Sequence, residues 1–199
     1  RLVVIPTIHP LRDRRKPPEE REGLLFIGSF YHRPNSDAVN YFMREIYPLI
    51  KEVLPSVVFY IVGTGASPEI EAYNSATVRV MGYVPDINPL LNDVRVFVAP
   101  LRFGAGVNGK IGEALSYGLP VVTTSLGAEG VGLTSGKNAM IADDPGEFAK
   151  NVLRVYQDMN LWRRLSDSGY KHIENHFTPE VVGQKIEAGL KALGVLDPE

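Results

Sequence analysis

One stretch carries residue types that could hold an anion and a sugar together. In A-P-L-R-F-G-A-G-V-N-G-K-I-G-E-A-L-S-Y-G-L-P-V-V-T-T, residues 99–124, Gly104, Gly106 and Gly109 let the backbone approach a ligand closely. A helix beginning near Gly109 would add free N–H groups and the positive end of its dipole, a natural site for a diphosphate. Lys110 supplies a cation in the first turn, and Glu113, three residues on, supplies a carboxylate suited to accepting hydrogen bonds from sugar hydroxyls. The plainer alternative is an exposed pair of these two side chains, worth a few tenths of a kcal/mol. Against it, a lysine in a first turn opposes the helix dipole and so calls for an external anion. The spacing is neither a Walker A motif nor G-x-G-x-x-G.

Other charged residues admit two readings each. His32, Arg33 and Arg102 fall in strand-to-helix loops, where each serves either as a phosphate contact or as a structural or solvated side chain. His172 and His176 have i,i+4 metal-ligand spacing, but with no H-E-x-x-H and no third ligand nearby they read as surface histidines. No D-x-D occurs, and no metal site is expected. Tyr83 and Trp162 read as core or edge aromatics.

To act together, these residues need loops gathered at one edge of a sheet. Apolar runs at 24–28, 57–62, 77–81, 94–98, 121–124 and 139–142 predict strands. Between them, helical patterns cover 37–54, capped by Asn35 or Ser36 and kinked at Pro48, then 68–73, 86–92 capped by Asp86, and a helix from Gly109. A glycine-rich loop follows Thr124, and helices at 145–158, 161–177 and 179–193 close the chain, the last capped by Thr178. The alternation predicts an α/β fold, a Rossmann-like doubly wound parallel sheet with extra C-terminal helices. In such sheets ligands bind outside the carboxyl ends of the strands, where the loops after Ile27, Val62, Met81, Val98 and Thr124 fall. Gly63-x-Gly65 reads as a tight strand-to-helix turn.

Residues 2–5 form a short strand candidate, and 6–22 carry four prolines and nine charged side chains without periodicity. That composition marks a linker and divides the chain into 1–22 and 23–199. The formal charge of −2 gives no reason to expect a nucleic-acid surface, and the cluster Arg12, Arg14, Arg15, Lys16 reads as solvated linker. There are no cysteines, no apolar run of the roughly 20 residues that span a bilayer, and no visible signal peptide. Arg rather than Met at position 1 is what a piece of a longer protein would show.

At this point the chain is similar to the GT-B glycosyltransferases of the retaining "group 1" class, also called family four. The likeness runs in order over 24–193 and is carried by F-I-G-S-F-Y-H-R-P-N-S-D-A-V at 26–39, G-Y-V-P-D-I at 82–87 and the stretch 98–124. It implies two Rossmann-like domains facing across a cleft, with this chain resembling the C-terminal, donor-binding domain. Residues 1–22 would then be the last strand of a missing N-terminal acceptor domain and its linker, and the helix 179–193 would cross back to that domain.

The resemblance also implies roles. Glu113 would hold the ribose hydroxyls, the base would sit against the backbone of Tyr83 and Val84, and Glu129 would lie near the donor sugar. Many members carry a glutamate eight residues before Glu113, where this chain has Ala105, so backbone N–H groups of Gly104, Ala105, Gly106, Val107 and Asn108 would take its place. The first-loop arginine and lysine of many members are Ser29 and Asn35 here, leaving Arg33, Arg102 and Lys110 as diphosphate cations, with Lys110 best placed. The implied activity is hexosyl transfer from a nucleotide-sugar with retention, without cofactor or metal, at a cytoplasmic site that reaches a membrane only peripherally through the missing domain. No catalytic residue is identifiable in this stretch, and the 199-residue chain alone is expected to be inactive. Two other readings stand beside it: a nucleoside-diphosphate-binding module or degenerate transferase without turnover, for which Ala105 argues, and a GT-B nucleotide-sugar epimerase.

Overall fold

The computed structural model describes residues 5–12, 16–104, 106 and 108–195. Most of the strand expected at 2–5, together with Arg14, Arg15, Ala105 and Val107, lies outside the described residues. Six strands are present among them: β1 Leu24–Ile27, β2 Phe59–Val62, β3 Val78–Gly82, β4 Val96–Ala99, β5 Val121–Thr123 and β6 Met140–Ile141. All pair in parallel, in the order β3-β2-β1-β4-β5-β6. A parallel sheet has helices on both faces, which is why the inner strands β1, β2, β4 and β5 read as largely continuous apolar runs.

The period-two alternation of side chains sorts them into two cores. Leu24, Phe26, Val96 and Val98 face a layer containing Phe42, Phe59 and Phe148. Leu25, Phe97 and Ala99 face the other layer, with Ile111, Leu115 and Tyr117. The latter three belong to or follow α5, Gly109–Ser116, the helix that the glycine-rich loop leads into.

Three expectations need correction. The first long helix begins at Arg33, four residues earlier than the expected start at 37, as α1, Arg33–Tyr41. Proline fits a first turn, where its missing N–H costs nothing, so Pro34 starts the helix and neither Asn35 nor Ser36 caps it. Pro48 does not produce a simple kink. A π-helical turn, Phe42–Ile46, precedes it and leads into α2, Tyr47–Val53, absorbing the disturbed hydrogen-bond ladder. The third concerns the loop after Thr124, whose start is a one-turn helix, α6, Ser125–Ala128. Thr124 Oγ1 accepts from Gly127 N at 3.2 Å, and Asp143 Oδ1 accepts from Ser125 N at 2.8 Å.

The remaining helices fall close to expectation. They are α3 Pro68–Glu71, α4 Asn88–Asp93, α7 Pro145–Gln157, α8 Met159–His176 and α9 Pro179–Leu193. Side-chain oxygens of Asp144, Asp158 and Thr178 cap the last three. Among the described residues, no helix is long and apolar enough to cross a membrane.

The segment before β1 is docked on the domain. Arg21 is fully buried, donating to the carbonyls of Lys16, Leu91, Val94 and Tyr117, with its guanidinium 5.3 Å from the Trp162 ring centroid. His9 is buried too. Its ring occupies the space beside Gly112, and its backbone N–H donates to the Phe177 carbonyl at 2.8 Å.

Candidate functional site

The order of this sheet reverses between β1 and β4, since the chain proceeds outward from β1 through β2 to β3 and then returns to β1's other side. At such a switch point the loops leaving the two strands part and open a crevice. Here they are the β1–α1 loop and the glycine-rich β4–α5 loop. A cleft of about 220 Å³ lies between them, lined by His32, Pro34 and Asn35 on one side and by Leu101, Phe103, Gly104, Gly106, Asn108, Gly109 and Lys110 on the other, with Leu126 and Glu129 completing it. A larger hollow of about 480 Å³ involves Gly23, Val57, Asp93 and Tyr156. Gly23, Val57 and Asp93 precede β1, β2 and β4, so it lies at the amino ends of the strands, away from the edge where such sheets bind ligands.

Lys110 is the cation of the cleft. Its Nζ donates to Asn35 Oδ1 and lies 4.8 Å from the Phe26 ring centroid, so it is not paired with Glu113. Burial lowers its pKa from 10.5 to about 8, which still leaves it mostly charged near neutrality. Asn35 is buried, and its Nδ2 donates to the Ser29 carbonyl at 2.8 Å. Gly28 makes room for this carboxamide, because a Cβ there would lie 2.7 Å from Asn35 Cγ.

The amide end of α5 is open to a ligand. Asn108 provides no side-chain cap; its Nδ2 instead donates to the Gly127 carbonyl at 3.1 Å, tying the glycine-rich loop to α6. Gly104 and Gly106 have φ of 129° and 100°, which only glycine adopts without strain, and this shapes the loop around the cleft. Glu129, exposed at the end of α6, is the acid among the described residues lining the cleft.

The expected site residues are thus only partly brought together. Lys110, Gly104, Gly106, Asn108 and Glu129 share the cleft with His32. Glu113 does not line it. It lies one turn further along α5, half-buried, with its pKa raised by burial and drawn back by the Arg12 guanidinium. Arg102 is turned away and engaged: Nε donates to Asp37 Oδ2 at 2.9 Å, a second nitrogen donates to Oδ1 at 2.5 Å, and the guanidinium stacks 4.5 Å from the Tyr41 ring centroid. Arg33 is exposed at the first residue of α1 and does not line the cleft. Tyr83, 71 % exposed rather than in the core, and Val84 stand at the end of β3, also outside it. Trp162 is buried, with Nε1 donating to the Arg95 carbonyl at 2.8 Å. His172 is hydrogen-bonded to the Val131 carbonyl, and its ring lies 4.8 Å from that of His176.

Asn35 is the residue that sequence reasoning missed. Its signal was present: with Pro34 in a first turn, Asn35 shares a helix face with the apolar Ala38, Val39 and Phe42, all buried. A polar residue on that face has a buried partner to find.

A parallel six-stranded sheet with a glycine-lined cleft at its reversal point defines a Rossmann-like α/β domain. Residues 21–158 match the model of the glycosyl transferases group 1 family, and the chain belongs to that family. It is 24 % identical over 191 residues to an uncharacterized 44.6 kDa protein of the cps region of Klebsiella pneumoniae, covering 92 % of this chain and 49 % of that protein. The chain spans about half the length of the first curated relatives it matches. Among solved structures it superposes on TarM with a TM-score of 0.74 at 18 % identity, over 96 % of this chain and 37 % of TarM. TarM from S. aureus has also been solved as a mutant in complex with fondaparinux, alpha-GlcNAc-glycerol and UDP. The C-terminal domain of the group 1 family protein LpcC from Francisella tularensis matches with a TM-score of 0.64 at 13 % identity, over 86 % of this chain and 97 % of that domain. At these identities the structural likeness speaks to fold.

Proposed function

We propose that this chain is the donor-binding half of a retaining hexosyltransferase and that the cleft at the β1/β4 switch point receives the diphosphate of a nucleotide-sugar. The observation that carries this reading is a half-buried ammonium, Lys110, lining a glycine-walled cleft beside the side-chain-uncapped amide end of α5. As the glycosidic bond breaks, negative charge grows on the departing diphosphate. Lys110, the loop N–H groups and the helix dipole stand where such charge is stabilised without reorganisation. In this reading charge neutralisation falls to these groups, and no metal ion is assigned.

Glu113 is the hydroxyl acceptor for the ribose, the backbone at Tyr83 and Val84 flanks the base, and Glu129 and the amides from Gly104 to Asn108, including those of Ala105 and Val107, meet the transferred sugar. Arg33 and Arg102 take no part. TarM, a structural neighbour solved with UDP, makes a uridine nucleotide the first donor class to try. The acceptor and any facing catalytic group come from a further domain, so the chain alone binds donor without transferring sugar. Segment 5–12, packed on α5 and α8, is the connection to that domain.

Calorimetric titration of the chain and of Lys110→Met with UDP and with uridine tests the assignment. The substitution should weaken UDP by about tenfold or more, the equivalent of roughly 1.4 kcal/mol, and leave uridine nearly unchanged. Equal losses for both ligands would show that the helix, rather than the charge, had been disturbed, and would overturn the reading.

A further inference from the structure

Asn35 is a neutral polar side chain almost fully removed from solvent, on the α1 side of the cleft. Its amide is fixed at both ends: Nδ2 on the Ser29 carbonyl at 2.8 Å, which turns Oδ1 toward the Lys110 ammonium. Gly28, the residue after β1, is needed for space, because the Cβ of any other residue there would press into this carboxamide. The Phe26 ring centroid lies 4.8 Å from the ammonium. Three features of the sequence, Gly28, Ser29 and Asn35, therefore converge on placing one nitrogen.

The geometry points to Asn35 as the positioning residue for Lys110, so that the cation offered to a diphosphate is set by a two-residue unit reaching across the switch point from α1 and α5. This rests on the donor-site reading above. An amide suits the task where a carboxylate would not. It orients the ammonium through one of its three donors and leaves both the remaining donors and the full positive charge for phosphate oxygens. Of the charged or titratable groups around Lys110, His32 on the first loop and Glu129 at the end of α6 line the cleft, Glu113 lies one turn further along α5, and Asp37 on α1 is taken by Arg102. No carboxylate pairs with Lys110 among the described residues.

The unit is read directly by following the Lys110 side-chain carbon resonance with pH in lysine-labelled protein, assigned by its loss in Lys110→Met, alongside UDP titration at pH 7. The parent should titrate near 8. Asn35→Asp, which is isosteric, should move that transition to higher pH by adding an opposite charge, yet weaken UDP by about tenfold or more, since the charge is now cancelled in place. Asn35→Leu, which removes the acceptor, should move the transition to lower pH and also weaken UDP. A purely structural asparagine would not shift the lysine in opposite directions with the two substitutions.

Transitions at the parent's pH in both variants, with UDP affinity intact, would overturn the proposal. If neither variant folds, Gly28→Ala reads the same contact, because its methyl group displaces the carboxamide. An unchanged lysine transition and UDP affinity there would overturn the proposal equally. Should Lys110→Met itself bind UDP like the parent, the donor-site reading fails. Should Lys110→Met lose UDP while the Asn35 variants behave as the parent, only the positioning role fails.

Discussion

Replacing Lys110 by Met should change how stability depends on pH, in a direction set by the burial of its ammonium. In the folded chain Lys110 titrates at about 8 rather than 10.5. Between those values the unfolded chain binds more protons than the folded one, so this group makes stability rise with pH across that window. Below about pH 8 both states are charged and the whole cost of holding the ammonium out of water is present. The displacement corresponds to about 3 kcal/mol at 1.36 kcal/mol per pH unit. Lys110→Met removes that dependence and leaves Asn35 Oδ1 without its donor, a loss of about 1–3 kcal/mol at every pH. At pH 7 the two effects largely offset, and the variant should be close to the parent or slightly more stable. By pH 10 the parent should be the more stable of the two. Urea unfolding of both proteins at intervals from pH 7 to 10 measures the difference, and other titrating groups cancel in the subtraction. Parallel stability curves would refute the argument that burial governs this lysine.

Further outcomes follow from the other placements. Glu113→Ala should weaken UDP about ten- to a hundredfold by calorimetry, and a 2′,3′-dideoxy nucleotide, already weak, should lose little more; identical parent and mutant affinities would remove the ribose assignment. Arg102→Ala should leave UDP affinity within about twofold and shift stability by no more than about 1 kcal/mol, because the half-exposed Arg102 is engaged by Asp37 rather than by the ligand. Gly127→Ala should destabilise the domain by about 1–3 kcal/mol in thermal melts, since its Cβ would fall 2.0 Å from Thr123 Oγ1 between α6 and β5.

The sheet was legible because the inner strands β1, β2, β4 and β5 are buried on both faces and so announce themselves as apolar runs, while the edge strand β3 alternates buried and exposed residues. The glycine-shaped turn of the β4–α5 loop was legible for a related reason: Gly104 and Gly106 sit at φ values that other residues avoid. What escaped depended on contacts between residues distant in sequence. Nothing local says that Arg102 closes on Asp37, or that Arg21, within a run of charged residues, is swallowed by carbonyls of α4 and the end of α5. Asn35 was misread because Asn is a strong capping residue, and the earlier start that Pro34 permits turns it from cap to buried partner. The one-turn α6 is too short to show periodicity and is held by a threonine cap and an aspartate eighteen residues away.

The central claim is that a nucleoside diphosphate sits at the β1/β4 switch point. Backbone amide resonances of the isotopically labelled chain, followed during UDP addition, test it most directly. The account predicts saturable shifts concentrated in residues 32–35, 83–84, 104–113 and 126–129, greatly reduced in Lys110→Met. Shifts confined to the hollow around Gly23 and Tyr156, or none at millimolar UDP, would contradict it.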